Sequence, residues 1–295
     1  MLSKFKRSKH QQHLAQLPKL PQTVADVRTL YAPSDFRTTL LDAIANATQR
    51  IYLVALYLEH DDAGREILNA LYQAKKRRPE LEICVLVDWH RAQRGRIGAA
   101  AANTNADWYC AMAGQHPEQS VPIYGVPVNT REALGVLHLK GFVVDDTVIY
   151  SGASINDVYL HQHEKYRYDR YQLITNEVLA DTLIDYIKQH LLTAGAVQRL
   201  DRSDRPKSPE IKNETRLFRF ALRRAGYHFR SKAGNDELAV TPLVGLGKQS
   251  VLNKTIHHLM SCADQKLTLC TPYFNLPALL VRNIIYLLRQ RSEEH

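Results

Sequence analysis

Apolar residues follow two different periods along the first part of the chain. Leu40 and Ile44 recur at the spacing of a helix face, whereas 51–58 (IYLVALYL) is continuously apolar, as in a strand covered on both sides. A helical pattern then ends at Pro79, and a second apolar run occupies 81–87 (LEICVLV). This alternation predicts an α/β fold, with a mostly parallel mixed sheet and helices packed on its faces.

Further strands and helices are indicated as far as residue 192. Helices are predicted near 99–112 and over 179–192, and strand-like runs lie at 121–128, 135–146, 147–152 and 166–175. The runs on either side of Asp145 and Asp146 are expected to pair as a hairpin. These runs extend the predicted sheet beyond its first two strands.

The chain also contains a linker-like stretch and an internal repeat. Residues 199–213 are charged and include two prolines, and an amphipathic helix is predicted near 214–227. The pattern of 40–58 recurs at 255–274, which indicates a tandem duplication whose second copy is incomplete. The expected parts are a basic segment at 1–30, a first domain at 31–198, a linker and helix at 199–240, and the start of a second domain at 241–295.

The charge of the chain is strongly positive and unevenly distributed. The 295 residues carry a formal net charge of +9, and Lys4, Lys6, Arg7 and Lys9 lie close together in the opening segment. Such a segment favours polyanions, either an anionic phospholipid surface or ribosomal and other RNA, unless it is simply a solvated terminus. The longest apolar run, 51–58, is far shorter than the ~20 residues that span a bilayer. We therefore expect any membrane contact to be peripheral.

The four cysteines are Cys84, Cys110, Cys262 and Cys270, and no two of them form a C-x-x-C pair. Cys84 and Cys270 lie in apolar runs and are expected to be small buried residues. This usage favours a reducing cytoplasm rather than a disulfide framework.

The stretch 135–154 (GVLHLKGFVVDDTVIYSGAS) contains polar residues that a simple core strand would not need. On a strand, His138 and Lys140 project from the same face, because residues i and i+2 share a face. Histidine can act as a nucleophile or as an acid and base near neutral pH, and lysine supplies positive charge for phosphate oxygens. Asp145 has the opposite parity and is expected to support the site from a turn. These three residues suit phosphoryl transfer through a phospho-histidine without a metal. The alternative is that His138 is only a structural residue whose hydrogen bonds are satisfied within the sheet.

The spacing of His138, Lys140, Asp145 and Gly152 resembles the signature of the phospholipase D superfamily. The halves of that superfamily are α/β sandwiches, and two such motifs normally meet at one active site. Its members commonly place an asparagine and an acidic residue after the motif. Asn156, one residue later than usual, and Asp169 are the candidates for these positions.

Longer stretches of the sequence resemble one group within that superfamily, the bacterial peripheral CDP-diacylglycerol–serine O-phosphatidyltransferases (phosphatidylserine synthases). They lie at 87–109, 125–142, 151–163, 205–213 and 241–248. The resemblance implies transfer of the phosphatidyl group of CDP-diacylglycerol to L-serine, with release of CMP, at the cytoplasmic face of the cell membrane. His138 would form a phosphatidyl-histidine, Lys140 would bind the non-bridging oxygens and Asp145 would stabilise the motif. No cofactor is implied, and the family's second histidine has no counterpart in this sequence.

Two other polar clusters are weaker candidates. His90, Arg91 and Arg94 leave the end of a predicted strand and either meet the pyrophosphate of the substrate or form a plain basic loop. His161 and His163 lack a third ligand at regular spacing, so we assign no metal site to them.

Two further interpretations stay open at this point. One is a phospholipase D-like phosphodiesterase or nuclease that works as a homo-oligomer, a dimer with one motif per chain. The other is an inactive fragment that binds anionic lipid or RNA through its basic residues.

Overall fold

The computed structural model describes residues 2–94, 104–132, 135–230, 232–234, 236–247, 249–271, 274 and 276–292. It divides into a larger unit, Gln22–Ala221, and a smaller one made of Met1–Pro21 and Leu222–His295. The larger unit holds the predicted site residues, whereas the predicted duplication at 241–295 lies in the smaller one.

The described residues form short strands and longer helices in alternation. The strands are β1 (Leu20–Pro21), β2 (Val27–Leu30), β3 (Arg50–Val54), β4 (Glu82–Asp88), β5 (Ile123–Val126), β6 (Gly141–Val144), β7 (Thr147–Tyr150), β8 (Tyr171–Thr175), β9 (Gln198–Arg199) and β10 (Ala239–Val240). The helices are α1 (Leu2–Ala15), α2 (Pro33–Asn46), α3 (Asp62–Arg77), α4 (Trp89–Ala92), α5 (Asn105–Gln115), α6 (Glu177–Tyr186), α7 (Lys212–Leu222), α8 (Val251–Ser261) and α9 (Ala278–Ser292). A π-helical turn at Ile187–Leu191 continues α6.

One eight-stranded sheet, in the order β2-β8-β7-β6-β3-β4-β5-β9, organises the larger unit. The predicted α/β fold with a mixed sheet is confirmed, but antiparallel pairs predominate. Five of the seven strand pairs are antiparallel, and only β3–β4 and β4–β5 are parallel. The expectation of a mostly parallel sheet was wrong because β6, β7 and β8 follow each other without a crossover helix, so each strand reverses the last.

The helices of the larger unit bury the apolar stripes that the sequence pattern indicated. Phe36, Leu40 and Ile44 of α2 are fully buried, as are Ile67 and Leu71 of α3. Each set recurs every three to four residues, so one face of each helix is apolar and is removed from water. Helix α3 ends at Arg77, two residues before Pro79, as the pattern predicted. The central strands β3 and β4 are therefore protected, which gives the site residues a rigid base.

The smaller unit pairs β1 with β10 and packs α1 against α8 and α8 against α9. The basic opening segment forms most of α1. Helix α8 covers the first part of the repeat at 255–274 and α9 follows it, but 266–271 forms no strand, and Leu267 and Leu269 are exposed. Cys84 is buried as expected, whereas Cys270 is exposed, contrary to prediction. The physical reason is that an apolar run becomes a buried strand only when neighbouring strands pair with it, and β1 and β10, the described strands of the smaller unit, pair only with each other.

None of the helices in the described part of the chain is both long enough and apolar enough to cross a membrane.

Four histidines join α1 to α8. His10 Nδ1 lies 2.8 Å from His258 Nδ1, the ring of His13 stacks on that of His258 with centroids 3.8 Å apart, and His257 contacts His10 edge-on. Desolvation lowers the pKa of His258 to about 4, and the other three imidazoles act in the same direction. Desolvation also lowers the pKa of His10, with contributions from His257, Lys9 and His13. The packing of α1 on α8 therefore favours the neutral forms of His10 and His258.

We expect the α1–α8 packing to weaken as the pH falls. A free imidazole has a pKa of about 6.5, so between that value and about 4 the unfolded chain binds more protons than the folded one. The stabilisation is complete above about pH 6.5 and is lost as the pH falls through this window. NMR titration of the imidazole resonances would measure it, and a His258 resonance that titrates near 6.5 in the folded protein would contradict this expectation.

Candidate active site

His138 and Lys140 lie just before β6 rather than inside a strand. The predicted strand at 135–146 begins only at Gly141, and residues 135–140 have no regular secondary structure. Gly141 has φ +126°, a conformation that side-chain-bearing residues rarely adopt. The chain therefore turns at Gly141 as it enters the sheet, which gives this glycine a conformational reason.

A buried carboxylate fixes the position of the segment that carries His138. Asp88, at the end of β4, is fully buried, and its Oδ2 accepts a hydrogen bond of 2.8 Å from the Leu137 amide. Its Oδ1 accepts from the amides of His90 and Arg91, each at 2.9 Å. Burial raises the pKa of Asp88, although these amides and His90 act in the opposite direction. The sequence pattern did not indicate Asp88; its only local signal is an acidic residue directly after the apolar run 81–87.

The environment of His138 favours a neutral imidazole. His138 itself is exposed, but partial desolvation and then the Lys140 ammonium lower its pKa, while Asp88 acts in the opposite direction. A neutral imidazole keeps a lone pair on one ring nitrogen at physiological pH. His138 can therefore act as a nucleophile toward an approaching phosphorus atom.

Lys140 is half-buried and is held by Ser154 and Asp169. Its Nζ donates to Ser154 Oγ at 3.0 Å. Desolvation lowers the pKa of Lys140 to about 8, and the Asp169 carboxylate opposes that shift. Lys140 thus remains mostly protonated at pH 7 and can hold phosphate oxygens.

Asp169 reaches this position because Gly152 has no side chain. The Gly152 amide donates to Asp169 Oδ1 at 3.0 Å, and a Cβ at Gly152 would lie 3.0 Å from both carboxylate oxygens. The spacing of Gly152 after the motif therefore has a steric reason. The structure brings Asp169, predicted only from its place in the chain, close enough to Lys140 for their charges to interact.

Asp145 stabilises the hairpin and does not face the reacting groups. The predicted β6–β7 hairpin is confirmed, with Val144 opposite Thr147. The Asp145 carboxylate accepts from the amides of Thr48, Gln49 and Arg50 at 2.8–3.0 Å, and from the Thr48 hydroxyl at 3.0 Å. Burial alone would raise the pKa of Asp145, but these hydrogen bonds lower it. Asp145 therefore ties the hairpin to the start of β3, in agreement with a supporting position in a turn.

Asn156 is bonded within the turn that follows the motif. Its Oδ1 accepts from the Tyr159 amide at 3.0 Å, and its Nδ2 lies 3.5 Å from the Tyr57 hydroxyl. Desolvation raises the pKa of Tyr57 to about 12, and Tyr159 and Glu59 add to the shift. Asn156 thus positions its own turn, and its amide nitrogen points to Tyr57.

The basic loop after β4 is tied to the segment that leads toward His138. His90 Nε2 lies 2.8 Å from the Asn129 carbonyl oxygen, and both Arg91 and Arg94 form ion pairs of 2.9 Å with Glu132. These side chains therefore have protein partners. Residues 95–103, which include the rest of this loop and the start of the helix predicted near 99–112, lie outside the described residues.

Residues 40–191, about half of the chain, match the family described as "Cardiolipin synthase, PLD-like domain". The fold and the motif at His138 agree with that match, so the chain belongs to the family of proteins with a phospholipase D-like domain.

Individual relatives show which members of this family the chain is similar to. The chain is 70% identical over 290 residues to the CDP-diacylglycerol–serine O-phosphatidyltransferase PssA of Escherichia coli, and the match covers 98% of this chain and 64% of that protein. It is 46% identical to the enzyme of the same name from Haemophilus influenzae, with the same coverage. The crystal structure of the Haemophilus influenzae phosphatidylserine synthase superposes with a TM-score of 0.92 at 45% identity, covering 97% of this chain and 64% of that one. The predicted similarity to phosphatidylserine synthases is confirmed, and the chain spans 64% of the length of these relatives.

We expect Asp145→Asn to destabilise the larger unit by about 2 kcal/mol, since an amide cannot accept all the hydrogen bonds that the carboxylate accepts from residues 48–50. The matched control is Asp146→Asn. Asp146 is partly exposed and pairs with Arg50 at 3.1 Å, so its loss should cost less than about 1 kcal/mol. Urea unfolding of both variants measures the difference, and equal midpoints for the two would contradict the supporting role of Asp145.

Proposed function

We propose that the chain carries the nucleophilic half of a phosphatidyltransferase, which moves the phosphatidyl group of CDP-diacylglycerol to L-serine and releases CMP. The observation that carries the proposal is the neutral His138 beside the protonated Lys140, in a chain 70% identical to a CDP-diacylglycerol–serine O-phosphatidyltransferase.

In the first step, a ring nitrogen of His138 attacks the phosphorus that bears the diacylglycerol. The bond from that phosphorus to the CMP oxygen breaks, and CMP takes up a proton as it leaves. Lys140 stabilises the negative charge on the non-bridging oxygens, and Asp169 helps to hold Lys140 in its charged form. The product is a phosphatidyl-histidine at His138.

In the second step, the hydroxyl of serine attacks the same phosphorus and loses its proton, and the bond to His138 breaks. In this superfamily, the second histidine acts as the acid and the base in the two proton transfers. The printed sequence contains one H-x-K-x-x-x-x-D motif, so we assign that role to a group outside this motif. We also propose that 241–295 begins a second phospholipase D-like domain, since its helices α8 and α9 occupy the places that the repeat predicts.

We place the reaction at the cytoplasmic, anionic surface of a membrane. Support comes from the net charge of +9, the basic opening segment and the lipid nature of the substrate. Association with ribosomal RNA is a second use of the same charge, and both would weaken as salt is raised. The alternative proposal is a phospholipase D-like phosphodiesterase that acts as a homo-oligomer. Two chains would then pair their motifs, and the presence of a single motif in this sequence favours that alternative.

The first test follows CMP release from CDP-diacylglycerol in detergent micelles, with and without L-serine. We expect at least one CMP per chain, together with a lipid adduct on His138, and no release by His138→Ala. His228→Ala is the matched histidine control and should behave as the unmodified chain does. Repeated turnover that requires serine would show a complete transferase, whereas one CMP per chain would show the nucleophilic half alone.

Three results would contradict the proposal. Release that survives His138→Ala would remove His138 from the chemistry. No CMP and no adduct from the folded protein would instead favour a fragment that only binds lipid or RNA. Hydrolysis of a phosphodiester without serine would favour the dimeric phosphodiesterase.

The rate of CMP release should have a bell-shaped dependence on pH. His138 must be neutral and its pKa is lowered, so the rate should persist below pH 6.5 before it falls. Lys140 must be charged and its pKa is about 8, so the rate should fall again as the pH rises through 8. In Lys140→Arg, whose guanidinium stays charged, the upper decline should disappear. A rate that keeps rising from pH 8 to 9 in the unmodified chain would contradict this assignment.

A further inference from the structure

Three metal-ligating side chains converge outside the candidate active-site residues. Asp62, Asp157 and His163 each offer one ligand atom, and these atoms all lie within 4.8 Å of one another. His163 Nε2 lies 3.0 Å from Asp62 Oδ2 and 3.6 Å from Asp157 Oδ2. Two ligands bound at about 2.0–2.2 Å to the same ion are about 3–3.5 Å apart, so this spacing suits a shared ion.

Asp157 is held rigidly with one oxygen directed into the cluster. It is only 8% exposed, its Oδ1 accepts from the Ala63 amide at 2.9 Å, and its own amide donates to Asp61 Oδ2 at 2.8 Å. The remaining oxygen, Oδ2, is the one that faces His163. Asp157 is thus a preorganised ligand whose position does not depend on His163.

Two buried carboxylates, Asp61 and Asp157, lie next to each other at this cluster. Asp61, the N-cap of α3, is only 4% exposed, and its carboxylate oxygens accept from the Gly64 amide at 2.9 Å and the Asp157 amide at 2.8 Å. Arg65 pairs with the other oxygen of Asp62. A bound cation would relieve the repulsion between these carboxylates.

We propose that Asp62, Asp157 and His163 form a binding site for a divalent cation. Two carboxylates and one imidazole are a ligand set that suits Mn²⁺ or Zn²⁺ better than an all-oxygen ion such as Ca²⁺. The Nε2 atom of a neutral His163 supplies the lone pair, and the remaining coordination positions take water or a phosphate oxygen. The sequence alone hides this site, because Asp62 lies a hundred residues before its partners and only α3 and the turn after Ile155 bring it to them.

The test titrates the full chain, first treated with a chelator, with Mn²⁺ and follows the free ion by electron paramagnetic resonance. We expect one site per chain, with binding at least tenfold weaker in Asp157→Asn and in His163→Gln. His161→Gln is the matched control and should bind as the unmodified chain does. His163 is 59% exposed, so its replacement should leave the fold intact even if Asp157→Asn does not fold.

A second readout distinguishes a metal site from a simple ion pair. Zn²⁺ should shift the imidazole resonances of His163 in an NMR titration at constant pH, and should leave those of His161 unchanged. Resonances of His163 that respond to pH but not to Zn²⁺ would show that a protonated imidazole only pairs with the two carboxylates. That result, or Mn²⁺ binding unaffected by His163→Gln, would overturn the proposal.

Discussion

The carboxylate of Asp88 joins three parts of the candidate active site at one point. It accepts hydrogen bonds from the amides of His90 and Arg91, at the start of α4. It also accepts one from the amide of Leu137, directly before His138. Buried amides are normally hydrogen-bonded, and 135–140 forms no strand, so this carboxylate satisfies the buried Leu137 amide in place of a strand partner. His138 can therefore lie on an irregular, accessible segment whose neighbouring residue, Leu137, is bonded to the end of β4.

Desolvation and the charges of nearby residues, rather than strong ion pairs, set the protonation states of His138 and Lys140. Desolvation favours neutral forms of both His138 and Lys140, and the two basic groups also repel each other. The Asp169 carboxylate opposes the lowering of the Lys140 pKa, and the Asp88 carboxylate opposes the lowering of the His138 pKa. The result is a neutral imidazole beside an ammonium ion, which is the protonation state that attack on an anionic phosphodiester needs. Gly152 takes part in this balance only because its missing side chain lets Asp169 approach.

Much of this arrangement could be anticipated from local sequence. The helices α2 and α3, the strands β3 and β4 and the β6–β7 hairpin follow from periodicity and turn chemistry, which act between residues close in the chain. The motif that begins at His138 is likewise contiguous, and its supporting aspartate was expected in a turn. Other features could not be anticipated in this way. The edge strand β2 is short and half-exposed, so its pattern carries little signal, and the run at 266–271 stays exposed although its composition is that of a buried strand.

The sequence by itself therefore determined the α/β class, the motif that places His138 and Lys140 two residues apart, and the phospholipase D-like family. Only the tertiary structure decided the direction of most strand pairs, the anchoring of His138 by Asp88 and the meeting of Asp62 with His163. The physical reason is range: periodicity, turns and contiguous motifs are local, whereas a hydrogen bond or a charge interaction joins whichever residues folding brings together. Asp88 and Leu137 are separated by β5, and no spacing rule in the chain links them.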